Sequence, residues 1–170
     1  MGLSIRGSGA RVHVNMTSSM LDSGALEFRG DFGASSQILV VGSALVTTSS
    51  YAIFFVAFFF GANSSLLLIK NRIEGNRYAV YFSGAVVVDG GGIIVKGNTL
   101  STTKEDEGVE SSVCVNALGV KNGGYFDVED NTMSSVNGVI LLGATTVSSA
   151  GLLRVAECIF VGSTKFLNSA

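Results

Sequence analysis

The residues of this sequence that could do chemistry are four carboxylates in its last third: Asp127, Glu129, Asp130 and Glu157. Carboxylates grouped on one surface can act as general acid and general base, and oxygen ligands of this kind also bind calcium. The simpler alternative is a solvated acidic surface. We favour that alternative, because the single histidine, His13, lies far away in the chain.

The elements that must position these carboxylates belong to an internal repeat. Residues 78–100 align without a gap on residues 51–73, at a distance of 27 positions. The matched pairs are Tyr78 with Tyr51, Ala79 with Ala52, Phe82 with Phe55, Asn98 with Asn71, and Leu100 with Ile73.

The second half of this repeat, written Gly-x-Φ-x-Φ-x-x-Asn-x-Φ with Φ apolar, recurs along the chain. Its anchor residues are Thr17, Ser43, Asn71, Asn98, Asn131 and Cys158, with Ala10, Val12 and Val14 as a loose first copy. The anchor spacings are 26, 28, 27, 33 and 27 residues. The long interval contains a charged insertion at 104–108, which we expect to form a surface loop.

The first half of the unit repeats as well and adds further apolar segments with period-two alternation. Val80 and Phe82 align with pairs in the neighbouring units, and Val87 aligns with Phe60, Val120 and Val147. Three short strands per period, with no helical pattern, predict a solenoid in which each strand pairs with its counterpart one coil away. The predicted fold class is an all-β, right-handed parallel β-helix of about six coils, one domain over residues 1–170.

This register predicts which side chains stack. Asn71, Asn98 and Asn131 would form a polar ladder at one corner, since asparagine amides can bond to the amides above and below. Asp127 would lie beside Arg154, Lys96 beside Glu129, and Asp130 beside Glu157. Cys114 and Cys158 fall at different repeat positions, so we expect free, partly buried thiols and neither a disulfide framework nor a zinc site.

Composition excludes several functional classes. Apolar residues make up 47% and charged residues 14% of the chain, which argues against disorder. The net charge of −2 gives no basic surface for nucleic acid. The most apolar window, residues 53–60, is too short to span a bilayer as a helix and is predicted to be a buried strand. The amino terminus lacks the pattern of a signal peptide. We expect no metal and no cofactor.

Three phrases carry a resemblance to a known family: residues 15–46, residues 123–164, and IIVKGNTLSTT at 93–103. They resemble the dispersed gene family protein 1 of trypanosomes, a multicopy set of surface proteins. The resemblance implies a much longer parent protein with β-helix repeats and membrane-spanning segments, of which this chain would be a fragment or a short copy. It also implies a cell-surface or secretory setting, adhesion to a host cell-surface or matrix protein or glycan, and no established enzymatic activity. In that setting, the sequons at Asn15 and Asn63 become candidates for glycosylation.

Two functional hypotheses follow. The first is a structural or adhesive surface segment. The second is a carbohydrate-active enzyme that uses the acidic residues, because pectin lyases and polygalacturonases share the predicted architecture, although the polygalacturonase motif set is missing. A truncated copy without a function of its own is a third possibility. In every case, the predicted solenoid lacks an obvious cap at either end, so we expect exposed strand edges and a tendency to aggregate.

Overall fold

A computed structural model of the protein describes residues 2–22, 24–103, 111–135, 140–148, 150–162 and 166–168. The charged insertion predicted at 104–108 lies outside these residues. The described part of the chain contains 19 strands and no helix. Accordingly, no helix in these ranges is long and apolar enough to cross a membrane.

In chain order, the strands are β1 (Leu3–Ser8), β2 (His13–Thr17), β3 (Met20–Asp22), β4 (Leu26–Phe32), β5 (Gln37–Val41), β6 (Ala44–Val46), β7 (Tyr51–Phe60), β8 (Ser65–Ile69), β9 (Arg72–Gly75), β10 (Tyr78–Asp89), β11 (Gly92–Lys96), β12 (Thr99–Thr102), β13 (Ser111–Lys121), β14 (Tyr125–Glu129), β15 (Thr132–Ser135), β16 (Ile140–Val147), β17 (Leu152–Ala156), β18 (Ile159–Gly162) and β19 (Phe166–Asn168).

Each coil contributes one strand to each of three parallel sheets, which confirms the predicted β-solenoid. Sheet A has the order β1-β4-β7-β10-β13-β16-β19, sheet B the order β2-β5-β8-β11-β14-β17, and sheet C the order β3-β6-β9-β12-β15-β18. The six strands of sheet B are joined by five steps, so the stack amounts to about five coils and is slightly shorter than predicted.

The core consists of ladders in which one inward position repeats from coil to coil. In sheet B, Ile38, Leu66, Ile93 and Phe126 stack in register and are all buried. In sheet A, the ring of Phe55 stacks on Phe28 at 5.1 Å and on Phe82 at 4.4 Å between centroids. Each such side chain contributes roughly 1.5–3 kcal/mol by leaving water, so the inward ladders carry most of the stability.

The predicted register of the first coil was wrong by two residues. Val14, not Val12, pairs with Ile38, and the residue aligned with Ser43 is Ser19, whose backbone N–H donates to the Ser43 hydroxyl at 3.1 Å. The first step is therefore 24 residues in sheet B, from His13 to Gln37. An alternating apolar pattern looks the same after a shift of two residues, so alternation alone could not detect the shorter coil.

The predicted alignment of Val87 was wrong by one residue. Val88 pairs with Phe60 and with Val120, and Val88 is the buried residue. The cause is a register irregularity between Ser83 and Val87, where β10 pairs with β7. Such bulges move every following side chain to the opposite face.

Candidate functional site

The asparagine ladder lies at the corner between sheets B and C, as predicted. The Asn98 side-chain oxygen accepts from the Asn71 backbone N–H at 2.9 Å and from the Asn71 amide at 3.0 Å. Asn131 repeats both bonds toward Asn98, at 2.9 Å each. All three residues are buried. Ser43 and Cys158 continue the ladder at its two ends, with longer contacts in the case of the thiol. The ladder satisfies buried backbone groups and is structural.

Two of the four candidate carboxylates lie in an ion-pair network on the outer face of sheet B. Arg154 donates to both oxygens of Asp127, at 3.0 and 2.6 Å, and to Glu129 at 2.6 Å. Lys96 completes the network with a bond of 3.1 Å to Glu129. Both pairs occupy matching strand positions, which confirms the predicted alignments.

This network limits what Asp127 and Glu129 can do. The hydrogen bonds from the guanidinium to Asp127 raise the pKa of Arg154, so the cation stays in place across the physiological range. Both oxygens of Asp127 accept from that cation, in the bidentate geometry that carboxylates and arginine favour. These two carboxylates are therefore arranged as register-fixing partners of basic residues.

Asp130 and Glu157 lie at equivalent corners of neighbouring coils and are both exposed. They adopt left-handed backbone, with φ of 54° and 53°, at the corner position where Gly42 and Gly97 stand in earlier coils. His13, on β2, lies four strands from β14 in sheet B, which is about 19 Å at the usual strand spacing. Within the described ranges, no group of three histidine, cysteine or acidic residues could hold a metal ion.

The asparagines of the two sequons are both exposed. Asn15 lies on β2, and its side-chain oxygen accepts from the Thr17 hydroxyl at 2.7 Å. Asn63 lies in the turn before β8 with φ of 58°. Both asparagines are thus accessible for modification in a chain that enters the secretory pathway.

Neither cysteine forms a disulfide. Cys114 is buried on β13, and this burial raises the pKa of its thiol to about 11. Cys158 is half-buried, and its thiol lies 3.2 Å from the Ala156 carbonyl oxygen. The prediction of free thiols is confirmed, with Cys114 more deeply buried than expected.

Sequence reasoning missed an aromatic cluster on the outer side of sheet A, which we call the aromatic surface: Tyr51, Phe54, Tyr78 and Tyr81. Each of the four rings is half-buried and therefore partly open to solvent. The centroid of Phe54 lies 4.0 Å from that of Tyr51 and 5.4 Å from that of Tyr81. Tyr78 stacks on Tyr81 at 4.6 Å. A signal was present in the sequence, since Phe54 and Tyr81 are both aromatic and one 27-residue period apart.

A cavity of about 550 Å³ adjoins the aromatic surface at the corner that leads into sheet A. We call it the corner cavity. Its lining combines one carboxylate, small polar residues and the Tyr51 ring: Gly2, Leu3, Ser4, Gly24, Ala25, Glu27, Ser49, Ser50 and Tyr51. Its volume falls within the range of small-molecule sites.

Comparisons of the sequence with protein-family models and with curated proteins, and of the fold with solved structures, find no match. Function must therefore be inferred from the residues themselves.

Proposed function

We propose that this chain is a structural, adhesive solenoid segment that displays its outer faces to a host cell-surface or matrix partner at the cell surface. The resemblance to the trypanosome dispersed gene family supports this role and the surface or secretory location. The observation that carries the proposal is the ion-pair network of Lys96, Asp127, Glu129 and Arg154. It engages two of the four candidate catalytic carboxylates in contacts between coils.

A rigid rod with regularly spaced outward positions is suited to adhesion. The backbone of each strand is bonded to the coils on both sides, so outward side chains are held about 4.8 Å apart along the rod. Solenoids use such extended faces for binding, because neighbouring repeats present matching rows.

The competing function is polysaccharide cleavage, and one observation favours it. Asp130 and Glu157 are exposed, acidic, and one coil apart at the same corner. A lyase or hydrolase would need two such carboxylates within reach of one glycosidic bond.

The test compares binding with cleavage in the same samples. Immobilised cells, matrix proteins and acidic polysaccharides are incubated with the chain in calcium, and reducing ends and unsaturated products are then assayed. The adhesive role predicts binding without new products. It also predicts unchanged binding in the double variant Asp130→Asn/Glu157→Gln.

A matched control is the double variant Asp31→Asn/Glu74→Gln, which removes the same two charges elsewhere on the rod. If only the Asp130/Glu157 pair abolishes the release of products, the enzymatic function is correct and the adhesive proposal fails. If the wild-type chain neither binds nor cleaves any of these probes, both functions fail.

A further inference from the structure

The aromatic surface and the corner cavity share Tyr51 and form one continuous outer region. This region differs from the rest of the exterior in its chemistry. Stacked, half-open rings form one side, and serine hydroxyls with one carboxylate form the other. Contiguous apolar groups that are open to solvent and bordered by polar groups are typical of interaction sites.

Glu27 is the charged group at the junction of the two parts. It pairs with Phe54 in the register of sheet A and also lines the cavity. The Arg29 Nε–H donates to Oε1 of Glu27 at 2.8 Å, and Nη2 of Arg29 lies 2.7 Å from the same oxygen. Among the described residues, no donor contacts Oε2, so this oxygen can accept from a ligand while the charge stays balanced by Arg29.

The far side of the aromatic surface also carries a polar group. The Asn116 amide donates to the Tyr81 hydroxyl at 2.9 Å, and Asn116 itself is exposed. The rings are therefore bordered by hydrogen-bonding groups at both ends of the row, by Glu27 on β4 and by Asn116 on β13.

A ligand that fits this arrangement must combine an apolar face with a rim of hydroxyl groups. A pyranose ring does so, since one face presents C–H groups and the edge presents donors and acceptors. C–H groups carry partial positive charge and pack against the negative face of an aromatic ring. Hydroxyls donate to carboxylate and serine oxygens and accept from amides and serine hydroxyls.

We propose that the aromatic surface and the corner cavity bind a neutral oligosaccharide. One sugar packs against Tyr51, the ring that lines the cavity, with its hydroxyls directed to Glu27 and the cavity serines. The chain then continues past the partly open edges of Phe54 and Tyr81. Glu27 disfavours uronic acids and sulfated sugars at this position, because Arg29 is already paired. A second copy of the protein fits less well, because an apolar knob would cover the hydroxyls of the cavity without bonding to them. This inference rests on the proposed adhesive function and names its ligand class.

The chain provides its own probe for this site. It contains four tyrosines and no tryptophan, so tyrosine fluorescence is not masked. Three of the four tyrosines belong to the aromatic surface, and the fourth, Tyr125, lies on sheet B. The wild-type chain is titrated with a β-1,4-glucose hexamer, a β-galactosyl disaccharide and an α-mannose trimer, with heparin as the acidic comparison.

We expect at least one neutral probe to bind and to change the tyrosine fluorescence, and heparin not to compete. The double variant Tyr51→Thr/Tyr81→Thr keeps strand propensity and should weaken binding by more than about tenfold. Its binding is measured by titration calorimetry, because two of the three reporting tyrosines are gone. Glu27→Gln should weaken it by about threefold to tenfold, because one charge-assisted bond becomes a neutral one. Tyr125→Thr is the matched control and should bind as the wild type does. Circular dichroism of each variant shows whether it folds.

Several outcomes would overturn the inference. The first is that no neutral probe binds at concentrations below about 10 mM. The second is that the Tyr51/Tyr81 double variant binds as tightly as the wild-type chain. The third is that heparin binds and the neutral probes do not. A shift from dimer to monomer in the double variant would identify the surface as a self-interface instead. If the wild-type chain binds matrix-coated surfaces but no neutral glycan, the adhesive function stands and only this site is wrong.

Discussion

Replacing Asn98 by alanine tests whether the asparagine ladder stabilises the solenoid as its geometry indicates. Asn98 lies in the middle of the ladder and is 1% exposed. Its oxygen accepts two bonds from Asn71, and its amide donates to the Leu68 carbonyl at 2.8 Å and to Asn131 at 2.9 Å. The alanine variant removes all four bonds at once.

The loss of stability in Asn98→Ala depends on the polar groups that stay buried after their partner is removed. The Asn71 backbone N–H loses its acceptor, and a buried donor without a partner costs about 1–3 kcal/mol. The Leu68 carbonyl loses one of its donors, and a small cavity replaces the amide, which adds roughly 1–2 kcal/mol. We therefore expect the free energy of unfolding to fall by about 2–5 kcal/mol, a large share of the stability of a typical domain.

Urea unfolding followed by circular dichroism measures this difference. The control is Asn15→Ala, which removes the same side chain from an exposed strand position and should change stability by less than about 0.5 kcal/mol. If Asn98→Ala unfolds within about 1 kcal/mol of the wild type, the ladder bonds contribute little beyond what water supplies, and the reasoning is refuted.

Three further predictions concern other parts of the fold. Gly75→Ala should lower the free energy of unfolding in urea by about 2–4 kcal/mol, because a Cβ there would collide with the Tyr78 carbonyl oxygen. The control is Gly123→Ala, where the added Cβ meets no atom within 4 Å. It should cost only about 1 kcal/mol, because the residue has a positive φ. Cys114 should react with iodoacetamide at pH 8 more than 100-fold slower in the native Cys158→Ser variant than in urea, since its pKa is raised to about 11. The raised pKa also means that this thiol stabilises the fold below about pH 9, and that the contribution is lost as the pH rises toward 11. Equal rates of reaction with iodoacetamide in the native protein and in urea would contradict the burial of Cys114. The 170-residue chain should self-associate in sedimentation velocity, because Leu152, Ile159 and Val161 expose 50–63% of their surface at the last coil, and a concentration-independent monomer would contradict this.

The fold was predictable because the inward positions obey one period. Asn71 and Asn98 are 27 residues apart, and Asn131 follows after 33 residues because this interval contains the insertion at 104–108. The three sheets and the polar corner therefore follow from a single alignment. The incorrect predictions concerned only the local register of the strands. The shorter first coil leaves the apolar alternation intact. The bulge near Ser83 is signalled only by Gly84, a glycine inside an apolar strand, which the alignment did not take into account. Register errors of one or two residues arise where neither pattern nor turn chemistry distinguishes neighbouring positions.

The candidate sites were less predictable, for a reason visible in β7 and β10. Tyr51 and Phe54 are three residues apart, so strict alternation assigns them to opposite faces. The structure instead brings their rings together, because the chain bends into sheet A at this point. Consecutive residues Ala52 and Ile53 are both buried there, as are Ala79 and Val80. Alternation cannot describe a corner, and the aromatic surface is built on one.

The outer faces of sheets A and B show how a solenoid separates stability from recognition. On sheet B, opposite charges alternate between neighbouring coils, and Glu129 lies between Lys96 and Arg154. These outward side chains therefore pair with one another and help to fix the register of the strands. On sheet A, the inward phenylalanine stack holds the coils together, and the outward rings contribute no charge pairing. The pair of Lys96 and Glu129 is partly exposed and adds little stability. Asp127 is nearly buried and accepts two bonds from Arg154, so its replacement should cost more. The aromatic surface instead leaves four half-buried rings partly open to solvent, and oligosaccharide binding is the role that we propose for them.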